Sequence, residues 1–258
     1  VSIDERPNFW WDSGNSGGYP WRKTSDGVWV PLSTTQRANP PDGPAGSPVL
    51  SDRGYWYPDN AHQPSVAYVP YLLTGDRYYA DEMAFWADFG LLSSYQQRPT
   101  NARGGSLGLL GLSNEARGAG WVLRNLADAA AYLPDADPLK PYLAQKVQNN
   151  LVWLDNFAHS ADKPLGVAWL QYRPERPELG LLGLDLWEHN YVAWAIDHAN
   201  RQGFTGGLEW RDQVARFQLS LFTSPDYNRE YAASYELAAG ERAADGSIRY
   251  YSTLREVF

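Results

Sequence analysis

The 258-residue chain has no cysteine, one methionine and four histidines. Without cysteine there is neither a disulfide nor a thiolate metal site, and the residues point to neither an oxidising nor a reducing compartment. Excess positive charge is also missing: 22 Lys and Arg against 30 Asp and Glu leave a net charge of −8. Nucleic acids and anionic membranes are bound through a sustained positive field, so a nucleic-acid partner is not expected. No stretch approaches the roughly 20 consecutive apolar residues that span a bilayer, and no membrane insertion is expected. Val1 to Arg6 lack the charged-then-apolar order of a signal peptide. The chain opens on Val1 and stops at Phe258 inside what reads as a helix start at Ser252. That pattern reads as a processed or excised piece, and the expectation leaves room for neighbouring domains of a larger protein.

Large amphipathic rings are abundant, with 12 Trp and 17 Tyr, more than a helical core of this size ordinarily needs. Such rings offer a flat apolar face and a polar tip, which suits the apolar face of a pyranose in a polar cleft; helix-to-helix packing is the plainer use. Residues 1–60 are punctuated by Gly14, Gly17, Gly18, Pro20, Pro31, Pro40, Pro41, Gly43, Pro44, Gly46 and Pro48. No long helix survives that spacing, and loops with short extended pieces are expected. The same stretch carries Phe9, Trp10, Trp11, Trp21, Trp29, Tyr55, Trp56 and Tyr57, too apolar for a solvated linker. It is expected to pack on the body as an irregular, aromatic-rich segment walling a cleft.

From residue 61 to 258 the period is helical. Val66, Val69, Leu72 and Leu73 form one stripe, Thr74-Gly75-Asp76 stops it, and Tyr79, Met83, Trp86, Ala87 and Gly90 follow. A second hairpin is predicted over 114–132 and 138–158, broken at Pro134, Asp135 and Asp137, with Pro138 in a first helical turn. A third is predicted over 185–201 and 207–222, divided by Gly203, Gly206 and Gly207. Residues 224–250 are less regular, with a short helix predicted at 231–239. The fold class is therefore all-α, built of antiparallel helical hairpins.

The three pairs form a weak internal repeat. Ala61-His62-Gln63-Pro64 leads into Tyr68 and Tyr71, Glu115-Ala116-Arg117 into Trp121 and Arg124, and Trp187-Glu188-His189 into Tyr191 and Trp194. Stacked hairpins with parallel equivalent helices would gather these three starts, and with them His62, Glu115, Arg117, Glu188 and His189, at one end. Free N–H groups at helix starts favour anionic ligands or developing negative charge there.

His62-Gln63-Pro64-Ser65 through Tyr71-Leu72-Leu73-Thr74-Gly75-Asp76, the helix Arg117-x-x-x-Trp121-x-x-Arg124, and Trp187-Glu188-His189-Asn190-Tyr191 resemble segments of the (α/α) toroid, or six-hairpin, superfamily of polysaccharide lyases and glycoside hydrolases. The resemblance runs from about Trp56 to Phe222. A complete toroid has more helices than these, so an incomplete toroid is implied. The resemblance also implies a carbohydrate polymer or oligomer as partner, and a periplasmic or extracellular setting is expected. For a lyase, removing the proton beside a uronate carboxyl needs a charge-neutralising donor, a base and an acid. Asn, His, Tyr and Arg recur in such sites, and His62, Arg117, His189, Asn190 and Tyr191 are the candidates. Successive helical residues point about 100° apart, so two of His189, Asn190 and Tyr191 are expected to face the cleft. Trp56, Tyr57, Asp59, Asn60, Arg103, Glu115, Trp187 and Glu188 are the candidate substrate-binding residues.

A hydrolase needs two carboxyl groups flanking the glycosidic bond, for which Asp59, Glu115, Asp185 and Glu188 are candidates. Each has a plainer reading as a helix cap or solvated charge, and Asp185 has the position of a capping residue. A polyuronate would meet a repulsive field unless Arg98, Arg103, Arg117 and Arg124 concentrate locally. His159 and His198 read as structural or surface residues. The glycine-rich stretch 101–108 is not a phosphate loop, since no strand precedes it and no Lys-Ser or Lys-Thr pair follows. The histidines show no metal-ligand spacing on one helix face, so no cofactor or catalytic metal is implied, which leaves room for a structural calcium held by scattered carboxylates. A third reading is a sugar-binding or scaffolding module without catalysis. Between lyase and hydrolase the lyase is favoured, because His and Arg at the repeated helix starts are harder to explain by capping than the carboxylates are.

Overall fold

The computed structural model describes residues 9–12, 19–23, 29–31, 61–93, 107–110, 116–176, 180–243 and 245–257. Near the N-terminus β1 (Phe9–Asp12), β2 (Tyr19–Lys23) and β3 (Trp29–Pro31) form an antiparallel sheet, with Trp10 paired to Trp21 and Trp21 to Pro31. Six helices follow as three hairpins: α1 (Tyr68–Thr74) with α2 (Arg77–Ser93), α3 (Ala116–Tyr132) with α4 (Leu139–Ser160), and α5 (Leu186–Arg201) with α6 (Leu208–Thr223). Between the last two hairpins lie a 3-10 turn at Pro164–Gly166 and strands β4 (Arg173–Arg176) and β5 (Leu181–Leu184). A 3-10 turn at Arg229–Tyr231, β6 (Leu237–Arg242), β7 (Ile248–Tyr250) and the short α7 (Leu254–Val257) complete the described chain.

The protein is thus mostly helical, roughly as the all-α expectation has it, with two small antiparallel sheets in addition. In the second sheet the order is β4-β5-β6-β7. The helix predicted at 231–239 is instead the end of a 3-10 turn followed by β6. Gly240 explains the preference for strand, since its Cα lies so close to Arg249 that a Cβ would sit 2.7 Å from that residue's carbonyl oxygen. Strand β5 continues through Asp185 directly into α5, so the sheet sets where that helix begins.

Helix α3 is the centre of the molecule. It packs against α1, α2, α4 and α5, and small residues let these neighbours approach. Gly90 of α2 rests on Val122, and Gly120 rests on Tyr191 and Val192 of α5. Leu123, Leu126, Leu143, Leu151, Leu184, Ile196, Trp210 and Leu221 are fully enclosed, each contributing on the order of 1.5–3 kcal/mol by leaving water.

The connections are made by side chains that satisfy the free ends of the helices. Asp137 accepts from Leu139 N at 2.9 Å at the start of α4, and Lys140 Nζ donates to Leu133 O at 2.8 Å at the end of α3. Asp155 of α4 accepts from Gly207 N (2.8 Å) and Glu209 N (3.1 Å), capping α6. Gly207 stands at φ 73°, a left-handed conformation that glycine adopts without strain. Asp155 sits by residues 207 and 209, and Ala158 O accepts from Gln213 at 3.2 Å, so α4 and α6 run parallel.

The first hairpin departs from the pattern. Val66, Val69, Leu72 and Leu73, the predicted core stripe, are all exposed, Leu73 at 81%, and no residue of α1 is buried. A helix of 7 residues presents its stripe outward here because its Tyr68 and Tyr71 side are what meets the core.

Candidate functional site

Helices α3 and α5 lie side by side, parallel and in register. Four contacts along their length establish this: Arg117 N donates to Glu188 Oε2 at 3.2 Å, the Trp121 and Tyr191 rings are 4.6 Å apart, the Arg124 guanidinium lies 4.2 Å from the Trp194 ring centre, and Asp128 Oδ1 is 2.6 Å from His198 Nε2. From 121 to 191, 124 to 194 and 128 to 198 the separation is the same 70 residues. Positions spaced 4, 3 and 4 apart fall on one helix face, so each helix contributes one edge of a common strip.

The strip alternates aromatic and polar groups. At its upper end Trp187 meets Tyr235 (5.5 Å) and the Arg117 guanidinium (5.4 Å). In the middle Tyr191 contacts both Trp121 and Trp194, the latter at 5.4 Å. At its lower end His198 touches Trp194 and the edge of Tyr68, and Tyr68 stacks on Tyr132 at 5.8 Å. From Trp187 to His198 the strip is roughly 16 Å long, at 1.5 Å per helical residue. Trp194 is 47% exposed, an unusual cost for a tryptophan on a helix that also has a buried face. Burial pushes the Tyr191 hydroxyl up to about 12, against the pull of Arg124 beside it, so it is a proton donor at neutral pH.

Of the candidates for elimination, Arg117 and Tyr191 belong to the strip, and the others lie elsewhere. His189 is 1% exposed, with its ring edge-on to Trp169 at 5.2 Å and 6.3 Å from that of Trp210. Its Nδ1 lies 3.0 Å from Asp185 O; a carbonyl accepts only, so the proton is on Nδ1 and the Nε2 lone pair points into the core. Burial pulls the imidazole down to about 4, and it is neutral at physiological pH. Asn190 turns toward α6 and donates to Gln218 Oε1 at 2.5 Å. His62 is exposed. The neighbouring Gln63 O accepts from Asn125 Nδ2 at 2.9 Å, and Asn125 is about two turns, roughly 12 Å, along α3 from Arg117. Starts of α3 and α5 therefore meet as the repeat implies, while the first segment is displaced toward their other end. The expectation that His62 joins Arg117 and His189 is corrected accordingly.

Glu188 is buried and serves the fold: it accepts from Arg117 N in the first turn of α3 and lies 3.9 Å from Arg117 Nε. Asp185 occupies the N-cap position of α5, yet its side chain makes no capping hydrogen bond. Both carboxylates are enclosed, and this removes them from the face where a sugar could lie. Trp187 lies on the strip as described. Trp56, Tyr57, Asp59, Asn60, Arg103 and Glu115 lie outside the described residues. Among the described residues no three His, Asp or Glu side chains gather as a metal site, and no helix is long and apolar enough to cross a membrane.

In the sequence, Trp121, Arg124 and Trp194 fall on predicted helices without an assigned site, and His198 reads as structural or surface. The signal that finds them is the 70-residue offset, which aligns aromatic and charged positions of α3 with those of α5 along the chain itself. Compared with known proteins, the chain matches no family model, no curated protein and no solved structure.

Proposed function

We propose that this chain is a carbohydrate-active domain, an incomplete (α/α) toroid whose α3–α5 strip holds the rings of a polysaccharide or oligosaccharide. The observation that carries this reading is the strip itself: a half-buried row of Trp187, Tyr191, Trp121 and Trp194 with guanidinium groups of Arg117 and Arg124 between the rings. Sugar rings need flat apolar surface for their C–H faces and donors at the edges for their hydroxyls, and the row supplies both in alternation. Antiparallel hairpins with α3 parallel to α5 and α4 parallel to α6 support the toroid reading.

Of the three readings open from the sequence, ring binding has the best geometric support. Hydrolysis by a carboxylate pair has less, since Asp185 and Glu188, the two of its four candidates among the described residues, are buried. Titration of the protein with acidic and neutral oligosaccharides, followed by tryptophan fluorescence, tests the proposal. Trp194→Ala is expected to weaken binding by about 10-fold, the equivalent of about 1.4 kcal/mol of lost stacking, with its melting temperature unchanged. Binding unaffected by that substitution, or no binding by the wild-type protein, would refute the strip as the sugar site.

A further inference from the structure

His159 and His189 each place Nδ1 on the carbonyl oxygen four residues earlier, at 2.7 and 3.0 Å. His198 is held differently. Its Nε2 reaches across to α3 and lies 2.6 Å from Asp128 Oδ1, an oxygen that also accepts from Gln202 Nε2 at 2.5 Å. Asp128 is fully enclosed, and its Oδ2 is buried without a hydrogen-bond partner among the described residues. A carboxylate oxygen accepts, so the N–H that faces Asp128 is on Nε2, which also lies 3.0 Å from Gln202 Nε2, and Nδ1 is the ring nitrogen turned away from the pair. Among the described residues that Nδ1 has no hydrogen-bond partner, and the side chain is 19% exposed, between the ring of Trp194 and the edge of Tyr68.

We propose that His198 and Asp128 form a proton-transfer pair acting on the ligand held against Trp194, with His198 as the catalytic base and Asp128 as the residue that positions it. The proposal rests on the sugar-binding reading of the strip. A carboxylate on one ring nitrogen fixes the tautomer, fixes the ring plane and stabilises the imidazolium once the other nitrogen takes up a proton. The alternative, a structural tie between α3 and α5, accounts for the short bond but not for a second ring nitrogen without a hydrogen-bond partner among the described residues, in a side chain that keeps some exposure beside a strip of rings.

On a uronate ring the pair can perform β-elimination without a co-reactant. Nδ1 takes the proton from the carbon beside the carboxyl group, and the electron pair of that C–H bond becomes the new double bond. The C–O bond to the neighbouring sugar breaks with its pair on oxygen, and that oxygen receives the proton back from Nδ1. Arg124, one turn before Asp128 and 4.2 Å from the Trp194 ring centre, brings a positive charge to the carboxyl that becomes electron-rich on the way.

The test separates binding from turnover. Wild type, His198→Gln and Asp128→Asn are given a panel of acidic and neutral polysaccharides; binding is read by tryptophan fluorescence, and turnover by new reducing ends and the ultraviolet absorbance of an unsaturated uronate. Wild type is expected to release both signals. His198→Gln should keep binding while turnover falls at least about 100-fold, the usual contribution of a general base. Asp128→Asn should lower kcat at least about 10-fold while leaving KM nearly unchanged, because the base has lost the group that holds its ring in place. Turnover that persists in His198→Gln, reducing ends without the absorbance, or binding by wild type without turnover overturns the pair and leaves the sugar-binding reading standing. No binding to any glycan overturns both. Should His198→Gln fail to fold, Asp128→Asn decides, and an unchanged kcat in that variant refutes the proposal.

Discussion

At the scale of single residues, burial decides what a histidine can do. His189 is enclosed by Trp169 and Trp210, and its folded-state value of about 4 lies well below the ordinary 6.5. Between those values the unfolded chain binds the proton and the folded protein does not, so stability falls as pH drops through that window and is regained above it. The loss amounts to about 3 kcal/mol between pH 7 and pH 4, at 1.36 kcal/mol per unit of displacement. Urea unfolding at the two pH values should show His189→Leu losing about 3 kcal/mol less than wild type on acidification; equal losses would mean that the imidazole is not held neutral in the core. From sequence, His189 and Glu188 are attractive because they sit beside Trp187 and Tyr191. Their burial is not legible there, since adjacent helical residues face different ways and only the packing of α5 on α3 and α6 says which way is inward.

At the scale of elements, the hairpins are legible because glycine, proline and aspartate mark their ends. The predicted breaks at Pro134, Asp135 and Asp137 and at Gly203, Gly206 and Gly207 fall between α3 and α4 and between α5 and α6. Strands β4 to β7 are not legible, being short and lacking the alternation that marks a half-buried strand. Nor is the fate of the α1 stripe, for periodicity identifies an apolar face without saying whether anything covers it. The contact between α3 and α5 makes a sharper prediction. A Cβ at Gly120 would lie 2.6 Å from the Tyr191 ring and 3.3 Å from Val192 N. Because the backbone of Val192 cannot yield as a flexible side chain can, Gly120→Ala should destabilise the protein by about 1–3 kcal/mol despite alanine's better helix propensity. Chemical denaturation checks this, and an unchanged midpoint would mean that the two helices are farther apart.

At the scale of the whole molecule, stability should grade outward from α3. That helix is buried along its length between α1, α2, α4 and α5, whereas α1 buries no residue. Amide hydrogen exchange should therefore be slowest in the middle of α3 and α5 and fastest, among the six hairpin helices, in α1. Protection of α1 equal to that of α3 would show that one cooperative unit opens at once. By itself the sequence determined the helical class, the hairpin boundaries, the acidic charge and the surplus of aromatic rings, because each follows from composition or from the period of neighbouring residues. Tertiary structure decided which of those rings and charges meet. Arg124 with Trp194, and Asp128 with His198, lie 70 residues apart along the chain. They are brought together by the parallel packing of two helices, a relation set by the fit of Gly120 against Tyr191 rather than by anything local to either helix.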